Sequence, residues 1–224
     1  MRSCRAIVLV PLLLLGCKTV TNENPLQFET APLFGMIYDL DNKPCAGVSV
    51  RVDGLPGETS DIDGRFVLPG LKRGPHSVRA SAENHEPLEV RFSFDSRTQV
   101  LYLKMVSFDQ LLALAQGALD GKRWADADLL LKRASALNES DAVLLYLQAI
   151  LDYRQGDPAA AERRLSSLVD SGRATAPVFL FLADLYQYSL GQPASARRAL
   201  DEYLRQAEDA DVRTRLESLR VQQE

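Results

Sequence analysis

A chain of 224 residues is long enough for one large domain or two small ones. With 46% hydrophobic and 25% charged residues it can bury a core and stay in solution, which excludes wholesale disorder and a polytopic membrane protein. A formal charge of -4 argues against general nucleic-acid binding, and two histidines and three cysteines leave little material for a metal centre.

The chain opens Met1-Arg2-Ser3-Cys4-Arg5, runs apolar from Ala6 to Leu15 and reaches Gly16-Cys17. Two positive charges before a short apolar run fit an export leader over residues 1–16, too short to span a bilayer of roughly 30 Å. Leu14-Leu15-Gly16-Cys17 resembles the lipobox of bacterial lipoproteins. The resemblance implies that the leader is cut, that Cys17 carries covalent lipid, and that this lipid is the only attached group, with no other cofactor. Lys18 stands where inner-membrane lipoproteins often have Asp, which implies the periplasmic face of the outer membrane. Cys45 is then the single remaining thiol, so no intramolecular disulfide is expected. Residues 17–33, polar with two prolines after the cysteine, read as the lipidated N-terminus and a linker.

From Phe34 the pattern turns to period-two alternation punctuated by turn residues. Strands are expected at 34–39, 46–53, 65–68, 76–82, 88–94 and 99–104, with turns at Asp41-Asn-Lys-Pro44, Asp53-Gly-Leu-Pro-Gly57 and Asp61-Ile-Asp-Gly64. Short strands without intervening helix predict a small antiparallel β-sandwich over 34–105. The elements Gly35-x-Ile37-x-Asp39, Pro44-x-x-Gly47-Val48-x-Val50, Asp63-Gly64-x-Phe66 and Leu68-Pro-Gly70-Leu71 resemble the carboxypeptidase regulatory-like domain, a transthyretin-like fold. That resemblance implies an interaction or folding appendage without catalytic residues. Asp61 and Asp63 lack the closing glutamate of a calcium loop and read as an Asx turn; His76 and His85 read as solvated or edge residues; Cys45 reads as half-buried.

Beyond Met105 the period shifts to that of helices, over residues 106–224. Glycines 121, 156 and 191, alanines 115, 149 and 183, alanines 127, 161 and 196, and leucines 131, 165 and 200 recur roughly every 34 residues. Helices are expected at 107–120, 123–137, 140–154, 158–170, 175–189, 193–207 and 210–222, the last capping the stack with Val212, Leu216 and Leu219. A small residue at each helix crossing, a turn glycine, Trp124 after the first turn, and Pro158 and Pro193 after the others resemble the tetratricopeptide repeat. About three such repeats form an all-α solenoid.

The resemblance implies a concave groove that binds protein or peptide, lined by the first helix of each pair. Projected onto this chain, the groove receives Leu112, Gln116 and Leu119, then Tyr146, Ile150, Tyr153 and Arg154, then Leu180, Asp184, Gln187 and Tyr188. Its mixture of tyrosine, arginine and amides suits an interface. The basic pairs Lys132-Arg133, Arg163-Arg164 and Arg197-Arg198 read as a solvated outer face. With no nucleotide loop, catalytic triad or metal motif in the chain, binding is the economical function. The first expectation is a membrane-anchored adaptor in assembly, secretion or transport, with protein partners and no nucleic acid. The second is a lipoprotein that binds a small ligand, glycan or peptide.

Overall fold

The computed structural model describes residues 28–55 and 57–221. Seven strands precede seven α-helices among these residues. The leader, the lipidation site Cys17 and the first part of the linker lie outside the described residues.

The strands are β1 Thr30–Tyr38, β2 Ser49–Val52, β3 Glu58–Thr59, β4 Arg65–Lys72, β5 Gly74–Ser81, β6 Leu88–Phe94 and β7 Val100–Lys104. They form a three-stranded sheet of order β4-β1-β7 and a four-stranded sheet of order β3-β2-β5-β6. Inward positions of both sheets, among them Leu33, Ile37, Val50, Phe66, Val78, Phe94 and Leu103, belong to one hydrophobic cluster. Two expectations need correction. Strand β1 begins at Thr30, so the last residues assigned to the linker are strand; alternate burial of Ala31 and Leu33 draws them into the core. The sheets are also not antiparallel throughout, because β1 and β7 run parallel from Phe34↔Val100 to Tyr38↔Lys104. A parallel pair needs a long crossover, and here the four-stranded sheet together with β4 supplies it.

Local chemistry holds the turns. Asp61 Oδ1 accepts from the amides of Asp63 and Arg65 at 2.9 and 2.8 Å, the expected Asx turn. Ser60 Oγ, buried, donates to the carbonyl of Cys45 and accepts from the amide of Val48. Cys45 is buried more fully than expected, and burial pushes its thiol pKa up, so the thiol stays protonated. His76 is neither solvated nor free: only 9% of its side chain is exposed, and its ring spans Asp53 Oδ2 at 2.6 Å and the Lys72 carbonyl at 2.7 Å.

The helices are α1 Phe108–Asp120, α2 Trp124–Ser135, α3 Ala142–Arg154, α4 Pro158–Asp170, α5 Ala176–Asp184, α6 Pro193–Gln206 and α7 Ala210–Val221. Residues Leu185–Ser189 continue α5 as a π turn, where an unbroken α-helix was expected. The hairpin repeats are present: α1 packs on α2, α3 on α4 and α5 on α6. The alanine pairs 115/127, 149/161 and 183/196 have no exposed surface, which lets paired helices approach closely. Pro158 and Pro193 occupy the first helical turn, where a missing N–H costs nothing.

The turn glycines are offset by one residue from their expected alignment. Gly156 (φ 89°) and Gly191 (φ 63°) adopt left-handed backbone, but in the first hairpin Lys122 (φ 56°) takes that conformation. Gly121 is only the helix cap, with φ -80°.

The β half is bonded to the helical half. Ser107 and Gln110 form a reciprocal capping box at the start of α1. The Phe108 amide donates to the Asn84 carbonyl at 2.8 Å, and the Glu86 amide to the Val106 carbonyl at 2.9 Å. Arg133 Nε and Nη2 clasp both Glu86 oxygens, at 2.8 and 2.5 Å. Arg164 likewise bonds Asp152 and Gln148. The second members of two basic pairs are therefore struts, since each meets an acid on a neighbouring element that sequence spacing does not reveal.

Candidate binding groove

Helices α3 and α5 enclose a cavity of about 680 Å³. From α3 come Tyr146, Ile150, Tyr153 and Arg154, three and four residues apart and therefore on one face. From α5 come Ala176, Pro177, Leu180, Phe181 and Asp184, and the π turn adds Tyr188. The extra residue in that turn rotates the subsequent side chains around the helix axis, and Tyr188 enters the lining while remaining 69% exposed. Phe181 makes near-perpendicular ring contacts with two tyrosines, Tyr153 at 5.6 Å and Tyr146 at 6.1 Å between ring centres. Burial, and next the charge of Asp184, push the Tyr146 hydroxyl pKa up.

A second hollow of about 630 Å³ lies between α1 and α3, lined by Gln116, Asp120, Lys122, Trp124 and Val143. Tyr146, Ile150 and Arg154 belong to both, so the hollows form one strip across the first helices of the three hairpins. Arg154 lies 6.0 Å from the centre of the Tyr153 ring. Arg154, Lys122 and Asp120 form no ion pair among the described residues, so the strip offers two cations and one carboxylate to a partner.

The structure brings seven of the expected residues to the main cavity: Tyr146, Ile150, Tyr153, Arg154, Leu180, Asp184 and Tyr188. Gln116 belongs to the second hollow. Leu112 is core, and Leu119 is nearly buried at the margin of that hollow, so neither is an open groove residue. Gln187 is absent from the lining because its Oε1 accepts from Arg215 Nε at 2.8 Å. Arg215 Nη1 also holds Asp184 Oδ1 at 2.7 Å, and its guanidinium lies 5.1 Å from the Tyr188 ring centre.

Arg215 thus gathers three expected groove residues from α7. Its Nη2 is buried without a hydrogen-bond partner among the described residues, and the Tyr188 ring compensates that desolvation in part. Sequence reasoning missed Arg215 because it lies outside the repeat, and Tyr203, which also lines the cavity, because it sits on α6, a second helix assigned to the outer row. Phe181 was legible, since it falls one helical turn after Pro177 on the same apolar face.

Among the described residues no three His, Cys, Asp or Glu side chains gather closely enough to hold a metal ion. No described helix is long and apolar enough to cross a membrane.

No family model matches the chain, and no curated protein matches its sequence. Among solved structures the chain is similar to the APC/C hetero-tetramer Cut9-Hcn1, with 19% identity and a TM-score of 0.46 over 52% of this chain and 24% of that one. It is similar to the TPR2AB-domain:pHSP90 complex of yeast Sti1, with 20% identity and a TM-score of 0.45 over 51% of this chain and 46% of that one. A thermophilic TPR protein of Thermus thermophilus is 28% identical, with a TM-score of 0.38 over 51% of this chain and 60% of that one. The similarity covers about half of this chain, and the chain spans less than two thirds of each of these structures.

Proposed function

We propose that this protein is an interaction adaptor whose tetratricopeptide-like hairpins hold a segment of a partner protein. The observation that carries the reading is the aromatic strip shared by α1, α3 and α5. It offers ring faces and edges for apolar side chains, with Arg154 and Lys122 available to an acidic group. The β half, a two-sheet sandwich resembling the carboxypeptidase regulatory-like domain, serves as a spacer or second contact. Cys17 carries the lipid that anchors the adaptor at the cell envelope, on the periplasmic side of the outer membrane, where it acts in assembly, secretion or transport.

Photo-crosslinking from position 153 in intact cells tests the adaptor reading. A discrete protein adduct that disappears in a Tyr188→Ala, Arg154→Glu variant of unchanged helicity is the expected outcome. Absence of any protein adduct from a correctly folded chain would overturn it.

Ligand carriage is the second reading, favoured by a cavity volume in the range of small-molecule sites, about 300–1,000 Å³. A saturable rise in Tm with a glycan or metabolite, together with no protein adduct, would prefer it.

A further inference from the structure

The two sheets present opposite outer faces. On the four-stranded sheet the outward row Arg51↔Arg79↔Glu89 is charged, and the neighbouring outward positions are Ser49, Ser77, Ser81 and Arg91. On the three-stranded sheet the row Val67↔Phe34↔Val100 is apolar, and in the next row Met36 stands between Arg65 and Tyr102. Phe34 is 50% exposed and Tyr102 is 65% exposed. These side chains form one contiguous patch, unlike the scattered apolar residues of an ordinary surface.

Charge on this face differs between its strands and its border. The exposed charged side chains at outward positions of β1, β4 and β7 are Arg65, Lys72 and Lys104, all basic and all at the margin of the patch. Arg65 is paired with Asp63 at 3.3 Å, whereas Lys72 and Lys104 have no ion pair among the described residues. Glu58, Asp61 and Asp63 stand at the Arg65 corner from outside the sheet, so the basic margin of the face is the part held by Lys72 and Lys104. An apolar centre with unpaired lysines at two of its margins fits an interfacial membrane contact.

The chain's own route selects the occupant. The described residues begin at Phe28, immediately before β1, the central strand of this same sheet. From Cys17 to Phe28 the chain reaches at most about 40 Å when fully extended. A lipid on Cys17 therefore tethers this sheet, before any other element, within reach of the bilayer.

We propose that the outer face of the β4-β1-β7 sheet rests on a membrane surface containing anionic lipid, with Phe34, Val67, Val100 and Tyr102 entering the headgroup boundary. The proposal rests on the reading of Cys17 as the lipidated residue. It places the charged four-stranded sheet on the side away from the lipid.

The test uses the full lipidated chain in vesicles of phosphatidylcholine and phosphatidylglycerol in equal parts, with brominated acyl chains as quencher. Two variants each add one fluorophore, Tyr102→Trp on the apolar face and Arg51→Trp on the charged face; emission of the native Trp124 is subtracted. Loss of most of the emission added at position 102, with that at position 51 unchanged, is the expected result. Flotation with the vesicles without quenching at either position would overturn the proposal while leaving the anchor intact. Equal quenching at both positions would overturn it as well, since the face would not be selected. A chain that neither floats nor is quenched would sink the Cys17 reading together with the proposal. A protein crosslinked to position 102 in intact envelopes, with no quenching in vesicles, would assign the face to a protein partner instead.

Discussion

In the helical half each helix closes on its neighbour across a short turn, and the same alanine contact is built three times, at 115/127, 149/161 and 183/196. The β half has no such repetition: its three-stranded sheet joins the first strand to the last, and Gly35 faces Phe66 across a register that occurs once. A modular stack meets local damage locally, whereas a sheet closed over long sequence distance fails as a unit.

The sharpest way to break this contrast is to overfill one tight contact in each half. At Gly35 a Cβ would lie 2.0 Å from Phe66 Cζ, and that ring is buried in the core. Gly35→Ala is expected to cost about 3 kcal/mol in urea unfolding, with loss of the whole β-sheet signal. In the helical half, Ala161→Leu is expected to cost about 2 kcal/mol and to spread α3 from α4. Amide exchange should accelerate there first while α1 and α2 keep their protection. Uniform loss of protection across all seven helices would contradict the modular picture.

Next in size is Arg215→Met, which frees Asp184 and Gln187 from α7. About 1–2 kcal/mol of stability should be lost, since Asp184 is 47% exposed and water takes over part of the pairing. The cavity also acquires an uncompensated acid, so titration with short peptides should shift preference toward basic sequences. Lys122→Gly should act in the other direction. It relieves a left-handed conformation that the other two hairpins assign to glycine, and about 0.5–1 kcal/mol of stabilisation is expected from thermal melts.

The smallest effect is confined to acid. The Ser77 amide, and next the His76 ring, hold the Asp53 carboxyl pKa below its ordinary value. A lowered folded-state pKa means that its contribution is present above the unfolded value and is lost as pH falls through the folded one. The Tm of the wild type should therefore fall further than that of Asp53→Asn below about pH 4. Equal slopes would show that Asp53 carries no such linkage.

Much of the helical half was legible because its contacts are local. The recurrence of alanine and leucine placed the hairpins, and the tetratricopeptide resemblance projected Tyr146, Tyr153 and Arg154 onto one face. The chain gave no such sign of the π turn or of Arg215, because one depends on helix packing and the other joins elements outside the repeating unit. In the β half, alternation told which residues face inward but not which strand lies alongside. The parallel partnership of β1 and β7 therefore stayed hidden, as did the clasp between Glu86 and Arg133.

The β1–β7 pairing also sets a schedule for biogenesis. In a chain exported N-terminus first, β1 emerges before any strand it can pair with, and β7 is the last of the described strands to follow. Until β7 emerges, Phe34 and Met36 lack a neighbour on that side, and a central strand exists as an unprotected edge. Each helical hairpin, by contrast, can close as soon as its second helix emerges. The emerging chain should therefore depend on a holding chaperone of the folding compartment until β7 arrives, and that dependence should pass quickly once the first helix follows it.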